Sequence, residues 1–226
     1  MKKQIAVIGL GRFGISIAST LYTMGHDVLA VDRTESKIQS IAQEVTHAVQ
    51  ADATNETILK ELGLSNFEVA IVAIGTDIKS SVLSTILLKR LGIPHVIARA
   101  NDNLHGSILG KIGADVVTYP EREMGTRIAH VVTLAEVSDY MTVVPGYGVA
   151  KLAAPPYLVG EKLSDLGFGY KGKWEVAVFL IQRGDEVIVT PTASQKIEAG
   201  DILVLAGSND KLEKLLAEAR KNKKEE

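Results

Sequence analysis

The strongest constraint on the fold of this chain is a six-residue loop, Gly9-Leu10-Gly11-Arg12-Phe13-Gly14, directly behind the apolar run Ile5 to Ile8. Glycines at this spacing between a strand and a helix let backbone N–H groups approach a diphosphate: Gly9 makes the tight turn, Gly11 the close approach, and Gly14 the packing of helix on strand. The helix N-terminus adds a partial positive charge. The spacing alone is common, but here the next β-branched run, DVLAVD, ends in Asp32, about 20 residues on, where a carboxylate takes ribose hydroxyls. An acid at that place repels a 2′-phosphate, so NADP is disfavoured despite the adjacent Arg33.

The rest of the first half has the same rhythm. The runs IAVIG, DVLAVD, HAVQAD, VAIVAIG, HVIARA and VVTYP are apolar almost throughout, as parallel strands covered on both faces are. Between them lie amphipathic stretches, Ile15 to Met24, Glu35 to Gln43, Thr57 to Leu62, Ile78 to Leu91 and Leu104 to Ile112, several stopped by glycine at 25, 63, 92 and 113. The reading is a Rossmann-like, doubly wound α/β sheet of six strands and five connecting helices. After Pro120 a longer helical stretch, Glu121 to Ser138, carries apolar residues at 124, 128, 131, 132, 134 and 137 and has no strand to return to. Pro145, Gly146, Gly148, Pro155, Pro156 and Gly160 then read as linker, hairpin and turns. A smaller α+β unit follows, with strands expected at Val176 to Gln182, Val187 to Thr190 and Ile202 to Ala206, a helix at Asn209 to Ala219, and a fraying charged tail from Arg220. The domains are expected at 1–138 and 139–226.

Several side chains fall at the carboxyl edge of the expected sheet, where open α/β folds keep their ligands. Arg12 sits inside the loop, where a guanidinium can fork across phosphate oxygens or simply be solvated. Asp52-Ala53-Thr54 ends the third strand, and Asp52 either faces the ligand or caps the next helix. Ile74-Gly75-Thr76 ends the fourth strand, Arg99 ends the fifth and points towards a terminal phosphate, and Glu121 closes the sixth as a hard-oxygen ligand for a divalent cation such as Mg²⁺ or as an ordinary helix N-terminal acid.

Composition excludes more than it selects. Lys+Arg 25 against Asp+Glu 27 leaves a net charge of -2, which asks for neither nucleic acid nor an anionic membrane. Absence of cysteine removes disulfides, thiolate metal sites and cysteine nucleophiles, and fits a reducing compartment. No uncharged apolar stretch approaches the ~18 residues of a membrane span. The residues after Ser138 contain no histidine, and His26, His47, His95, His105 and His130 are scattered as surface or packing residues. A dehydrogenase needs a second domain presenting a proton donor to the nicotinamide, and none is visible. A nucleotide site without catalytic groups is one that senses its ligand, by binding one conformation better than another. The apolar Glu121 to Ser138 stretch is either an interdomain helix or a surface for a second copy. An NAD(H)-dependent oxidoreductase and an NADH-sensing regulator are the alternative readings, the latter without a visible helix-turn-helix.

VIGLGRFG, VLAVD, Ala51-Asp52-Ala53-Thr54, VAIVAIG, Ala98-Arg99-Ala100, IGAD with VVTYPEREMG, and Gly200-Asp201-Ile202-Leu203-Val204-Leu205-Ala206-Gly207 together resemble the cytosolic regulatory subunits of Trk/Ktr potassium transporters, built from RCK N-terminal and C-terminal domains. The resemblance implies a non-enzymatic, cytoplasmic protein that dimerises and assembles into an octameric ring on a membrane potassium-translocating subunit (KtrB/TrkH-like), with ATP favouring the active and ADP the inactive state. It implies Arg12 and Arg99 on phosphates, Asp32 on the ribose, Asp52 and Thr54 on the adenine side, and Glu121 on a divalent cation at the dimer interface. Relatives bind cyclic di-AMP through an arginine-bearing stretch; Asp165 to Lys173 here has no arginine, which argues against that ligand.

Overall fold

The computed structural model describes residues 2–133, 137–169 and 172–222. The chain divides into two compact units, Met1–Glu121 and Arg122–Glu226, whereas the sequence punctuation puts the division after Ser138. In the first unit, strands and helices alternate: β1 (Gln4–Ile8), α1 (Arg12–Thr23), β2 (Asp27–Asp32), α2 (Glu35–Ile41), β3 (His47–Gln50), α3 (Glu56–Glu61), β4 (Val69–Val72), α4 (Ile78–Arg90), β5 (His95–Arg99), α5 (Asn103–Lys111) and β6 (Val116–Thr118). The sheet order is β3-β2-β1-β4-β5-β6 and every neighbouring pair is parallel.

Successive strand residues go to opposite faces, which explains why these strands are apolar throughout. Ala6, Ile8, Leu29, Val31, Ala70 and Val72 join one core cluster, and Ile5, Val7, Val28, Ala30 and Ile71 join another. The expected helices stand within a few residues of their observed limits, and glycines 25, 63, 92 and 113 all have the positive φ of a left-handed stop. A Pro at the first position opens α6 (Pro120–Thr133), where a missing N–H costs nothing.

The second unit carries β7 (Val137–Val144), β8 (Tyr147–Ala153), a short α7 (Leu163–Leu166), β9 (Ala177–Arg183), β10 (Glu186–Val189), β11 (Ile202–Ser208) and α8 (Asn209–Asn222). They form an antiparallel sheet of order β10-β9-β11-β8-β7 over a core that includes Tyr140, Leu152, Trp174, Ile181, Leu203 and Leu212. The fully buried Asp201 accepts a two-pronged hydrogen bond from Arg183 at 2.9 and 2.8 Å and one from the Glu198 N–H at 2.8 Å, so β9 and the turn before β11 are clamped together.

Two expectations are corrected here. The helix expected to reach Ser138 ends at Thr133, and Val137 and Ser138 belong to β7. The stretch read as linker, hairpin and turns does hold a hairpin, β7 and β8, whose two strands had been given no limits. The register of β7 slips twice, between Val137 and Asp139 and between Thr142 and Val144, so its inward residues do not recur every second position and the strand signal is lost. The tail expected to fray from Arg220 is helical through Asn222; residues 223–226, and Tyr170 and Lys171 within the Asp165 to Lys173 stretch, lie outside the described residues.

Candidate nucleotide site

The strand order reverses between β1 and β4, and a crevice outside the carboxyl ends of two such strands is where this topology binds ligands. The glycine loop lies there. Gly9 has φ +94°, its N–H donates to the Val31 carbonyl at 2.8 Å, and a Cβ on it would stand 2.8 Å from Ile74 Cγ1. A Cβ on Gly14 would fall 1.9 Å from the Gly9 carbonyl oxygen, so this glycine serves the fold. Gly11 differs: a Cβ there meets nothing within 4 Å, and the residue lines the crevice. Gly11 also begins α1 with no side-chain cap, and the first turn carries no acid, leaving the helix N–H groups and their partial positive charge directed at the crevice without compensation.

The crevice has about 220 Å³ of room. Of the expected site residues, Gly9 and Gly11 line it from the first loop, Asp32 and Arg33 from the second, Asp52, Ala53 and Thr54 from the third, Ile74 and Gly75 from the fourth, and Arg99 from β5. Arg12, Phe13, Gly14 and Glu121 do not line it. Arg12 is exposed at the start of α1, and among the described residues no carboxylate pairs with it.

Asp32 is 8% exposed and heavily engaged. Its Oδ2 accepts from the Leu10 N–H at 2.7 Å and from Lys37 Nζ at 3.1 Å, and its Oδ1 from the Thr34 N–H at 2.9 Å. Burial works to raise its pKa, but these hydrogen bonds together outweigh burial and hold the carboxyl below its ordinary value. Asp52 accepts at Oδ1 from the N–H and hydroxyl of Thr54, at 2.9 and 2.7 Å, which lowers its pKa. The cap of α3 is Asn55, which accepts from the N–H groups of Thr57 and Ile58, so of the two roles open to Asp52 the helix cap is excluded.

Sequence reasoning missed Lys37, Asp77 and Ser80 among the lining residues. Lys37 pairs with Asp32; Asp77 caps α4 through the Ser80 N–H at 3.0 Å and hydroxyl at 2.6 Å; and Arg33 reaches towards Asp77 at 3.7 Å. The hydroxyl of Ser80 holds the Asp77 carboxyl in its charged form, below its ordinary pKa. Asp77 was within reach from the sequence, as an acid immediately before the helix beginning at Ile78.

Arg99 rests on Gly75, where a Cβ would lie 2.2 Å from its Nη1. Its Nη2 donates to Glu121 Oε1 at 2.5 Å, its guanidinium carbon stands 6.0 Å from the Phe13 ring centre, and its buried Nε has no protein partner. Glu121 is thus taken up by Arg99, and among the described residues no three His, Cys, Asp or Glu side chains come together to hold a metal ion. A lone paired carboxylate does not make a divalent-cation cage.

Of the histidines, His105 is buried. The Asn101 N–H donates to its Nδ1 at 3.4 Å, which fixes the proton on Nε2, 3.2 Å from the Ser81 hydroxyl; Asn101 in turn donates to the Gly75 carbonyl. This is a packing role beside the crevice. No helix among the described residues is long and apolar enough to cross a membrane.

Comparisons with known proteins bear on the family and the fold. The TrkA-N domain model matches residues 5–120 and the TrkA-C domain model residues 149–220. Ktr system potassium uptake protein C of Bacillus subtilis is 43% identical over 92% of this chain and 93% of its own length, and Ktr system potassium uptake protein A of Vibrio alginolyticus 37% identical over 93% and 94%. Among solved structures, the GsuK RCK domain superposes with a TM-score of 0.64 at 16% identity over 96% of this chain and 47% of that one. The GsuK channel bound to NAD superposes with a TM-score of 0.50 at 21% identity, over 96% and 38%. The chain thus spans less than half the length of those solved chains, and at these identities they establish the fold. By domain composition and by identity over nearly its whole length, this chain belongs to the TrkA-N/TrkA-C family of Ktr and Trk potassium uptake proteins.

Proposed function

We propose that the first unit binds ATP or ADP in the crevice at the β1/β4 reversal, and that occupancy regulates a membrane potassium-translocating subunit of the KtrB/TrkH kind. The observation that carries the reading is the uncapped, acid-free N-terminus of α1 behind Gly11, with Asp32 at the other end of the same crevice. Polyphosphate would lie across the loop towards Arg12 and Arg99, ribose would lie against Asp32, and the base would lie by Asp52, Ala53, Thr54 and Ile74. In this reading the chain senses the nucleotide without converting it, in keeping with its potassium-uptake relatives. NAD(H) shares the adenosine half and competes for the same contacts.

The protein acts in the cytoplasm, docked on the inner face of the membrane through its partner. Its protomers pair through α6, none of whose residues is buried within the chain, and pairs close into an octameric ring. Ligand binding moves a ring only by differing between its states, so ATP and ADP must favour different arrangements. A divalent cation at Glu121 would draw its remaining ligands from elsewhere than this chain.

Calorimetric titration with ATP, ADP and NADH, together with mass spectrometry of any ligand retained through purification, tests the reading. Binding of ATP and ADP is expected, weakened about tenfold or more by Arg12→Ala, since a charge-assisted phosphate contact is lost. Potassium flux in vesicles carrying the partner subunit should respond to ATP and ADP in opposite directions. Failure of both nucleotides to bind, or equal flux with either, would overturn it.

A further inference from the structure

Arg99 is a crevice cation that the fold both orients and already commits. Gly75 removes any side chain that would push it away, its Nε is buried without a protein acceptor, and only 18% of its side chain is exposed. Its Nη2 is held by Glu121, whose own side chain is 67% exposed and stands in the first turn of α6. An exposed carboxylate holding a mostly buried guanidinium is a weak partner: solvent screens it, and little is lost when it is released. A polyphosphate entering the crevice offers the same guanidinium two or more charged oxygens in fork geometry, a stronger match than a single Glu oxygen.

We infer that Glu121 is an internal competitor for the nucleotide's phosphates: binding draws Arg99 off Glu121, and the released carboxylate carries the signal of occupancy into the first turn of α6. This deepens the nucleotide reading above and rests on it. It assigns Glu121 a role that opposes binding when no metal is present, the reverse of the effect a cation ligand would have. The two roles therefore separate experimentally. Removing a competitor tightens metal-free binding, whereas removing a cation ligand leaves it unchanged.

The test is calorimetry on the full chain in EDTA, with ADP and with adenosine as probes, for the wild type, Glu121→Gln, Arg99→Gln and the double variant. Glu121→Gln should bind ADP about threefold more tightly, the scale an exposed ion pair can hold back. Adenosine, which has no phosphate to reach Arg99, should bind all four chains alike. In the Arg99→Gln background the gain should vanish. ADP binding to Glu121→Gln no tighter than to the wild type overturns the proposal, as does a gain that persists without Arg99, which would be general charge repulsion. If neither wild type nor Glu121→Gln binds ADP, the nucleotide reading falls with it; if only Glu121→Gln binds, competition is supported in its strongest form. Thermal melts accompany each variant, and Glu121, being exposed, should alter stability little.

Discussion

At the scale of single residues, the first unit holds its crevice through side chains whose protonation is dictated by their neighbours. His105 is 1% exposed, and its Nδ1 faces a backbone N–H, which can only donate. A second ring proton would set donor against donor, so the fold demands the neutral imidazole; burial lowers the pKa below 6.5, and the charge of Asp102 opposes this with less effect. The sign follows from linkage. Above pH 6.5 neither the folded nor the unfolded chain is protonated here, and this contribution to stability is complete; as pH falls from 6.5 towards the folded value, the unfolded chain takes up the proton first and stability is lost. The difference in thermal stability between wild type and His105→Gln should therefore shrink as pH falls from 7 to 5. A constant difference would show that His105 remains uncoupled from protons. Such a residue is invisible to sequence reading, since nothing near position 105 announces that Ser81 and Asn101 will enclose it. Asp32, by contrast, was legible because its distance from the glycine loop is set by one helix and one strand. Lys37 was not, since its pairing with Asp32 depends on how α2 turns.

At the scale of elements, the glycine loop contains two glycines with opposite duties, and substitution should separate them. Gly14→Ala places a methyl 1.9 Å from the Gly9 carbonyl oxygen, a backbone atom that cannot swing away. Moving α1 off β1 to make room should cost about 1–3 kcal/mol or more, visible as a lowered denaturation midpoint with or without ligand. Gly11→Ala meets no protein atom within 4 Å, so stability should stay within about 0.5 kcal/mol, but the methyl enters the space claimed for phosphate. ADP affinity should then fall at least tenfold, about 1.4 kcal/mol, while the melt without ligand is unchanged. Equal ADP binding by Gly11→Ala and wild type would mean that phosphate does not approach this loop. The loop's place and the packing duty of Gly14 were readable from spacing, because the turn, the strand before it and the helix after it are local. The strands of the β7–β8 hairpin, read only as a hairpin among turns, were hidden for the opposite reason. The two register slips of β7 break the alternation that marks a strand, and Tyr140 finds its hydrogen-bond partner in Asn209 at 2.6 Å, far along the chain.

At the scale of the whole molecule, α6 is the element that a single chain leaves unexplained. It is amphipathic in sequence, yet Met124, Ile128 and Val132, at i, i+4 and i+8, are 47%, 53% and 76% exposed and none of its residues is buried. Fully covering an exposed side chain of this size gains about 1.5–3 kcal/mol, and these are already partly covered, so the stripe on one chain is worth roughly 3–5 kcal/mol. Bringing two chains together costs an estimated 4–15 kcal/mol, so a stripe met by a small partner surface would hold only weakly. In a two-fold dimer the stripe counts twice, as does any damage to it. A net charge of -2 puts little repulsion in the way of that pairing. Ile128→Glu should then place two unpaired carboxylates in the interface and convert the protein to a monomer at micromolar concentration, read by light scattering after size exclusion. Because Ile128 is already exposed within its own chain, the melt of the monomer should show no lesion of the fold beyond the loss of the dimer. A variant that keeps the mass of the wild-type assembly would show that α6 is not the pairing surface, and with it would go the route by which one crevice is felt in a neighbouring protomer.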